Sequence, residues 1–164
     1  MTNNQIEKLY IKYYTEIYLY AFSLSKDHYI AQDLTSDTFF KAMLSIDKTM
    51  PHIKYWLLRV CKNLFLDYVR KNSKLSIAGG LENSISIEKT PLDRIIESEE
   101  KKILYQHVMN LRPSYREIII LYYYCDLTLK EISFQTGLTE GAVKTLLFRA
   151  RKKLKVEMED QNEL

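Results

Sequence analysis

Four side chains late in the chain have the chemistry needed to read the edge of a base pair. Lys144, Thr145, Phe148 and Arg149 fall on the outward face of any helix that carries them. They supply a point cation, a hydroxyl, an apolar ring able to touch a thymine methyl, and a guanidinium fork matching guanine O6 and N7. From Lys144 to Lys155 there are six basic residues and no acidic one, although the 11 basic and 10 acidic residues of 99–164 nearly cancel. A concentrated cationic patch in a near-neutral segment suits phosphate contact. Arg151, Lys152, Lys153 and Lys155 are expected to neutralise phosphates or extend into solvent.

Such residues need a rigid carrier. Thr128 to Leu154 reads as a short helix, a glycine turn and a longer helix, the layout of a helix-turn-helix whose second helix can lie in a major groove. Thr128 and Glu131 have capping-box spacing. Gly137 sits at the turn, where a positive φ is commonly required. Thr139 can cap the second helix, and the small Gly141 with the free amides of its first turn can approach a phosphate closely. Ile132, Leu138, Val143, Leu147, Ala150 and Leu154 are the expected packing positions.

The first half carries two further polar constellations on helices. Ile6, Leu9, Tyr10, Tyr13, Ile17, Tyr20, Ala21 and Leu24 recur at three- and four-residue steps, which predicts an amphipathic helix with a buried aromatic stripe. A second helix, about 29–44, packs through Ala31, Leu34, Thr38, Phe39 and Ala42. Asp33 and Asp37 stand one turn apart on it, with Gln32 and Lys41 nearby. Spacing alone reads these as a solvated face, and an aligned acidic pair could also dock a basic partner helix. A third helix, about 53–71, has Leu57, Val60, Cys61, Leu64 and Tyr68 as its buried stripe. Arg59, Asn63, Asp67 and Arg70 lie on another side with Lys62 and Lys71 near them. Asn can pair with a base edge and Arg can hold phosphate; an Asp67–Lys71 pair on an exposed face is the alternative.

Periodicity fails from Ser73 to about Pro91, where Ser73, Ser76, Gly79, Gly80, Asn83, Ser84, Ser86 and Thr90 predict a flexible tether. So long a structureless loop argues for two domains. A helix is expected from about Pro91-Leu92-Asp93 through Ile95, Ile96, Ile103, Leu104 and Val108 to Leu111. Pro113-Ser114 opens another, Tyr115 to Cys125, with Ile118, Ile119, Leu121 and Tyr122 in the core. The expected organisation is a first domain over 1–72, a linker over 73–91, a helix-turn-helix domain over 92–158 and a tail over 159–164.

Other chemistries find little support. Cys61 and Cys125 sit in apolar helical patterns and read as buried free thiols. His28, His52 and His107 are scattered, so neither a metal site nor a catalytic group is expected, and no cofactor. The apolar run Ile118 to Cys125 is too short to span a bilayer. Nothing resembles a signal peptide, so no membrane insertion and a cytoplasmic location are expected.

Taken together, both halves resemble the extracytoplasmic-function class of the bacterial RNA polymerase sigma-70 family. Ala31 to Met43 is similar to the family's polymerase-docking helix, with Gln32, Asp37 and Met43 where Glu, Glu and Trp are commoner. Trp56 to Lys71 resembles its −10-element helix, and Leu111-Arg112-Pro113 through Leu154 its −35-reading domain. Position 146, often Arg in the family, is Leu here, and Thr145 replaces the commoner Ser. The resemblance implies that Gln32, Asp33, Asp37 and Lys41 contact core polymerase, and that Asn63 holds a flipped −10 base. It assigns Lys54, Arg59, Lys62 and Arg70 to −10 DNA beside a base-capturing loop at 45–55. Base capture suits the physics, because a base is read on its Watson–Crick edge only after unstacking. Thr139, Gly141, Lys144, Thr145, Phe148, Arg149, Lys152 and Lys153 become contacts to the −35 element.

The expected fold is therefore all-α, two small helical domains joined by a flexible linker, the second a helix-turn-helix. The expected partners are core RNA polymerase, promoter DNA and an anti-sigma factor of the kind that restrains this family. The alternative is a stand-alone regulator that binds duplex DNA without polymerase. The Asp33/Asp37 and Asn63 helices discriminate, because such a regulator needs neither.

Overall fold

The computed structural model describes residues 3–45, 51–73, 95–96 and 98–162, with no strand among them. The chain divides into two compact units, Met1–Glu88 and Lys89–Leu164. Of the tether expected over 73–91, only Ser73 is described, and it ends a helix. The remainder lies outside the described residues, as do 46–50 of the expected base-capturing loop.

In the first unit three helices, α1 (Asn3–Ser25), α2 (His28–Ser45) and α3 (Ile53–Ser73), each pack on the other two. Ile17, Tyr18, Tyr20 and Ala21 of α1 are fully buried. The aromatic stripe is shifted from the one expected: Tyr18 is buried whereas Tyr10 is exposed. The reason is a run of rings at four-residue steps, Tyr10, Tyr14, Tyr18 and Phe22, with centroids 4.9, 5.9 and 6.4 Å apart along the row. That row enters the core at Tyr18, with Tyr14 and Phe22 half-buried on either side of it. There Tyr18 Oη lies 2.7 Å from His28 Nδ1, joining α1 to the start of α2.

Local caps separate α1 from α2. Lys26 takes a positive φ of 54°, and its amide donates to Phe22 O at 2.8 Å. Asp27 Oδ1 then accepts from the Ile30 amide at 3.0 Å, which caps α2 and places a carboxylate at its positive end. All five expected packing residues of α2 are buried, Thr35 with them. The Thr35 and Thr38 hydroxyls donate to Ala31 O and Leu34 O, both at 2.7 Å, so neither leaves a buried polar atom unsatisfied. On α3 the buried residues are Leu57, Leu58 and Cys61, while Val60, Leu64 and Tyr68 are half-buried.

In the second unit four α-helices are described: α4 (Glu99–Met109), α5 (Pro113–Ile119), α6 (Leu129–Thr136) and α7 (Glu140–Asn162). The expected single helix from 91 to 111 is interrupted: Ile95 is helical, Ile96 is not, and a further helix begins after Ser98. Ser98 takes an extended φ,ψ of −88°, 132° and its hydroxyl accepts from Lys101 N, which starts α4 at Glu99. Ile103, expected to pack, is 49% exposed, whereas Ile96 is buried before the cap. Residues 91–94, where that helix was expected to begin, lie outside the described residues.

Pro113 occupies the first turn of α5, where its missing N–H costs nothing. Ile118, Ile119, Ile120 and Leu121 are all buried. Four consecutive buried residues sweep most of the way around a helix, so this segment is central to its unit. The expected single helix to Cys125 widens after Ile119 into a π-helical turn, Ile120–Tyr124. Its i−5 bonding ends with Cys125 N donating to Ile120 O at 3.0 Å. Asp126 then takes a positive φ of 54° and breaks the run. Cys61 and Cys125 are both buried and neither is in a disulfide.

Candidate nucleic-acid interface

The helix-turn-helix is set by three consecutive local devices. Thr128 Oγ1 accepts from Glu131 N at 3.1 Å while Glu131 Oε1 accepts from Thr128 N at 3.0 Å, a complete capping box. Gly137 closes α6 with φ 78°, a conformation in which a Cβ would be strained. Thr139 Oγ1 accepts from Ala142 N at 3.1 Å and starts α7. Ile132, Val143, Leu147 and Ala150 pack as expected. Leu138 does not: it is 37% exposed, because it lies on the turn between two helices, its carbonyl held by the Ser133 hydroxyl.

Along α7, positions 141, 145, 148 and 152 share one line on a repeat of about 3.6 residues, with 144 and 149 to either side. Gly141, Lys144, Thr145, Phe148, Arg149, Lys152 and Lys153 are all exposed, as is Thr139 before them. Phe148 is 65% exposed, so an apolar ring stands in solvent between cations. Lys153 Nζ pairs with Glu157 at 3.9 Å on the same helix. Arg151 departs from expectation. Its guanidinium lies over the rings of Tyr122 and Tyr123, 5.6 and 5.3 Å from their centroids, and its Nε donates to Tyr123 Oη. It therefore ties α7 to the π-helical turn.

Sequence reasoning missed a second positioning arginine. Arg116 is buried and its Nη1 donates to Met109 O at 3.4 Å and Leu111 O at 3.3 Å. These are carbonyls at the end of α4 that no helical amide reaches. Burial pushes its pKa down while Tyr105 and Glu117 push it back up. Nothing in the periodicity could distinguish it from a solvated arginine of α5.

The other two faces belong to the first unit. On α3, Arg59, Asn63 and Arg70 are exposed while Lys54 and Lys62 are half-buried. Lys54 Nζ sits 3.8 Å from Glu16 of α1, and Arg59 Nη1 donates to Tyr55 Oη at 3.2 Å. Asp67 pairs with Arg70, and not with Lys71 as the alternative reading of this face had it. Leu66, one turn beyond Asn63, is 43% exposed on the same ridge. On α2, Gln32, Asp33, Asp37 and Lys41 are all exposed. Phe40 and Leu44, 56% and 68% exposed, continue the Asp33–Asp37 line. That mixed acidic and apolar ridge was only half-read from the sequence, and exposed large side chains in a row are the signal that marks it.

Among the described residues no group of His, Cys, Asp and Glu could hold a metal ion, and no helix is long and apolar enough to cross a membrane.

The comparisons with known proteins place the chain in a class. Residues 9–75 match the model of sigma-70 region 2, and residues 101–154 that of sigma-70, region 4. The chain belongs to the sigma-70 family of RNA polymerase sigma factors, in its extracytoplasmic-function (ECF) class. It is 34% identical over 154 residues to the ECF RNA polymerase sigma factor SigM of Bacillus subtilis, covering 92% of this chain and 93% of that one. It is 28% identical over 165 residues to the RNA polymerase sigma factor YlaC of the same organism, covering 98% and 95%. The fold is shared with the sigma factor RpoE of Bartonella quintana, solved with the anti-sigma factor NepR, at TM-score 0.74, 23% identity and coverage of 94% and 97%. It is shared as well with CnrH, solved with the cytosolic domain of CnrY, at TM-score 0.63, 21% identity and coverage of 97% and 90%.

Proposed function

We propose that this chain binds core RNA polymerase and directs it to promoters through its two DNA-facing helices, without itself catalysing a covalent step. The observation carrying the reading is the coexistence of a capped, basic recognition helix with the exposed Asp33–Asp37–Phe40–Leu44 ridge in a separate unit. A regulator acting on duplex DNA alone needs no such ridge. In this proposal α7 reads the −35 element through Lys144, Thr145, Phe148 and Arg149. Thr139, Gly141, Lys152 and Lys153 meet the flanking phosphates. Asn63 holds a −10 base, and Lys54, Arg59, Lys62 and Arg70 steady the strand. Gln32, Asp33, Asp37 and Lys41 engage the polymerase. The proposed site of action is the cytoplasm, with an anti-sigma protein as a restraining partner, a reading supported by the structural neighbour RpoE, which was solved with one.

Transcription from a fragmented genomic library, using purified core polymerase with and without this chain, tests the reading. Discrete new start sites are expected with it. Asp33→Lys with Asp37→Lys should abolish them while leaving duplex binding intact. Sequence-specific duplex binding with no core association and no new transcripts would assign the chain to the stand-alone regulators instead.

A further inference from the structure

The hydroxyl of Thr145 is already occupied. Its Oγ1 donates to Gly141 O, one turn back in α7, at 3.0 Å. A threonine bonded in this way has spent its only hydroxyl proton on its own helix. It keeps an acceptor lone pair, and its methyl remains for any contact outside the chain. One turn on, in line with it, the ring of Phe148 is 65% exposed. Thr145 and Phe148 thus form an apolar strip flanked by the cations of Lys144 and Arg149. Gly141, at the near end of the strip, has nothing within 4 Å of the place its Cβ would occupy, so nothing in the chain's own packing crowds this end.

We infer that Thr145 is a specificity-determining residue that reads the 5-methyl group of a thymine through its own methyl, rather than a hydrogen-bonding reader. The inference deepens the proposed −35 role of α7 and rests on it. In the major groove the thymine methyl is the one apolar group that a base pair presents. A serine at this position would offer the same hydroxyl without the methyl. The exchange of one for the other therefore changes what is read, and the selected element carries an A·T pair opposite Thr145.

Two exposed substitutions separate the possibilities without touching the core. Valine keeps the methyl and loses the hydroxyl; serine does the reverse. Holoenzyme reconstituted from core polymerase and the full chain would first select its −35 element from a randomised duplex library. Each thymine of the chosen element is then replaced singly by deoxyuridine, which removes only the methyl. At one position wild type and Thr145→Val should each lose about four-fold in affinity, the worth of one buried methyl. Thr145→Ser should bind the thymine duplex about that much more weakly than wild type, and be indifferent to deoxyuridine there. If Thr145→Ser still discriminates thymine from deoxyuridine at that position, another apolar group such as the Phe148 ring reads the methyl and the proposal is overturned. A selected element at which no deoxyuridine has any effect overturns it too, leaving the −35 role intact. Failure to select any element removes that role and the proposal together.

Discussion

At Gly141 the demands of stability and of the proposed recognition fall on a single residue. Its φ is not in the left-handed region, and an added Cβ would meet open space. Gly141→Ala should therefore stabilise the second unit by about 0.5–1 kcal/mol, the ordinary helical preference for alanine. Where the α7 backbone approaches a phosphate, the same methyl intrudes, so affinity for the selected −35 duplex should fall while thermal stability rises. A parallel rise in both would remove Gly141 from the interface. Arg149 gives the complementary case. Arg149→Ala is expected to cost about 1–3 kcal/mol at the −35 element and to relax its base preference. A footprint unchanged in strength and in base preference would show that the fork reads nothing. Gly137 looks alike in the sequence and is not alike in the fold, because only Gly137 holds a positive φ.

At the scale of elements, caps rather than hydrophobic runs decide where helices stop. The capping box of α6 was legible because Thr128 and Glu131 carry both halves of it three residues apart. Thr128→Ala should destabilise the second unit by about 1 kcal/mol, read as a shift in its denaturant midpoint. A change within error would mean that α6 is held by tertiary packing alone. The start of α4 was not legible, because the apolar pattern runs straight through Ser98, whose extended backbone overrides it. The π-helical turn was hidden for a different reason: Ile118 to Leu121 is apolar without interruption, and an unbroken run carries no phase from which a widened turn could be inferred. In α1 the three- and four-residue spacing gave the helix but not its exact buried side, since tyrosines four apart can stack along a partly exposed edge. The candidate site divides in the same way. The resemblance, rather than spacing, singled out Asp33, Asp37 and Asn63, and the outward face of the last helix singled out Arg149, whereas the bonds of Arg116 to the end of α4 and of Arg151 to Tyr123 depend on how helices pack on one another.

For the whole molecule, the buried acids set a limit at high pH. Burial pushes the Cys61 thiol from its ordinary 9.0 up to about 12, against smaller opposing effects of Thr38 and Lys62. Burial pushes Tyr14, Tyr18 and Tyr124 upward as well. An acid whose folded pKa is raised stabilises the fold fully below its unfolded pKa and loses that contribution as pH rises toward the folded value. Stability should therefore be level through neutrality and fall above about pH 9, as the unfolded chain begins to release these protons. Denaturant midpoints across pH 7–11 check this, with Cys61→Ala expected to flatten part of the decline. A midpoint that rose over that range would contradict the upward shifts of these groups. The chain also has one tryptophan against thirteen tyrosines, and Trp56 stands half-buried in the first turn of α3, its amide bonded to His52 O. Light absorbed only by indole reports from the first unit alone. An unlabelled sample thus contains its own optical channel for one half of the molecule, and emission set beside the far-ultraviolet signal of the whole would tell whether the halves melt together or apart.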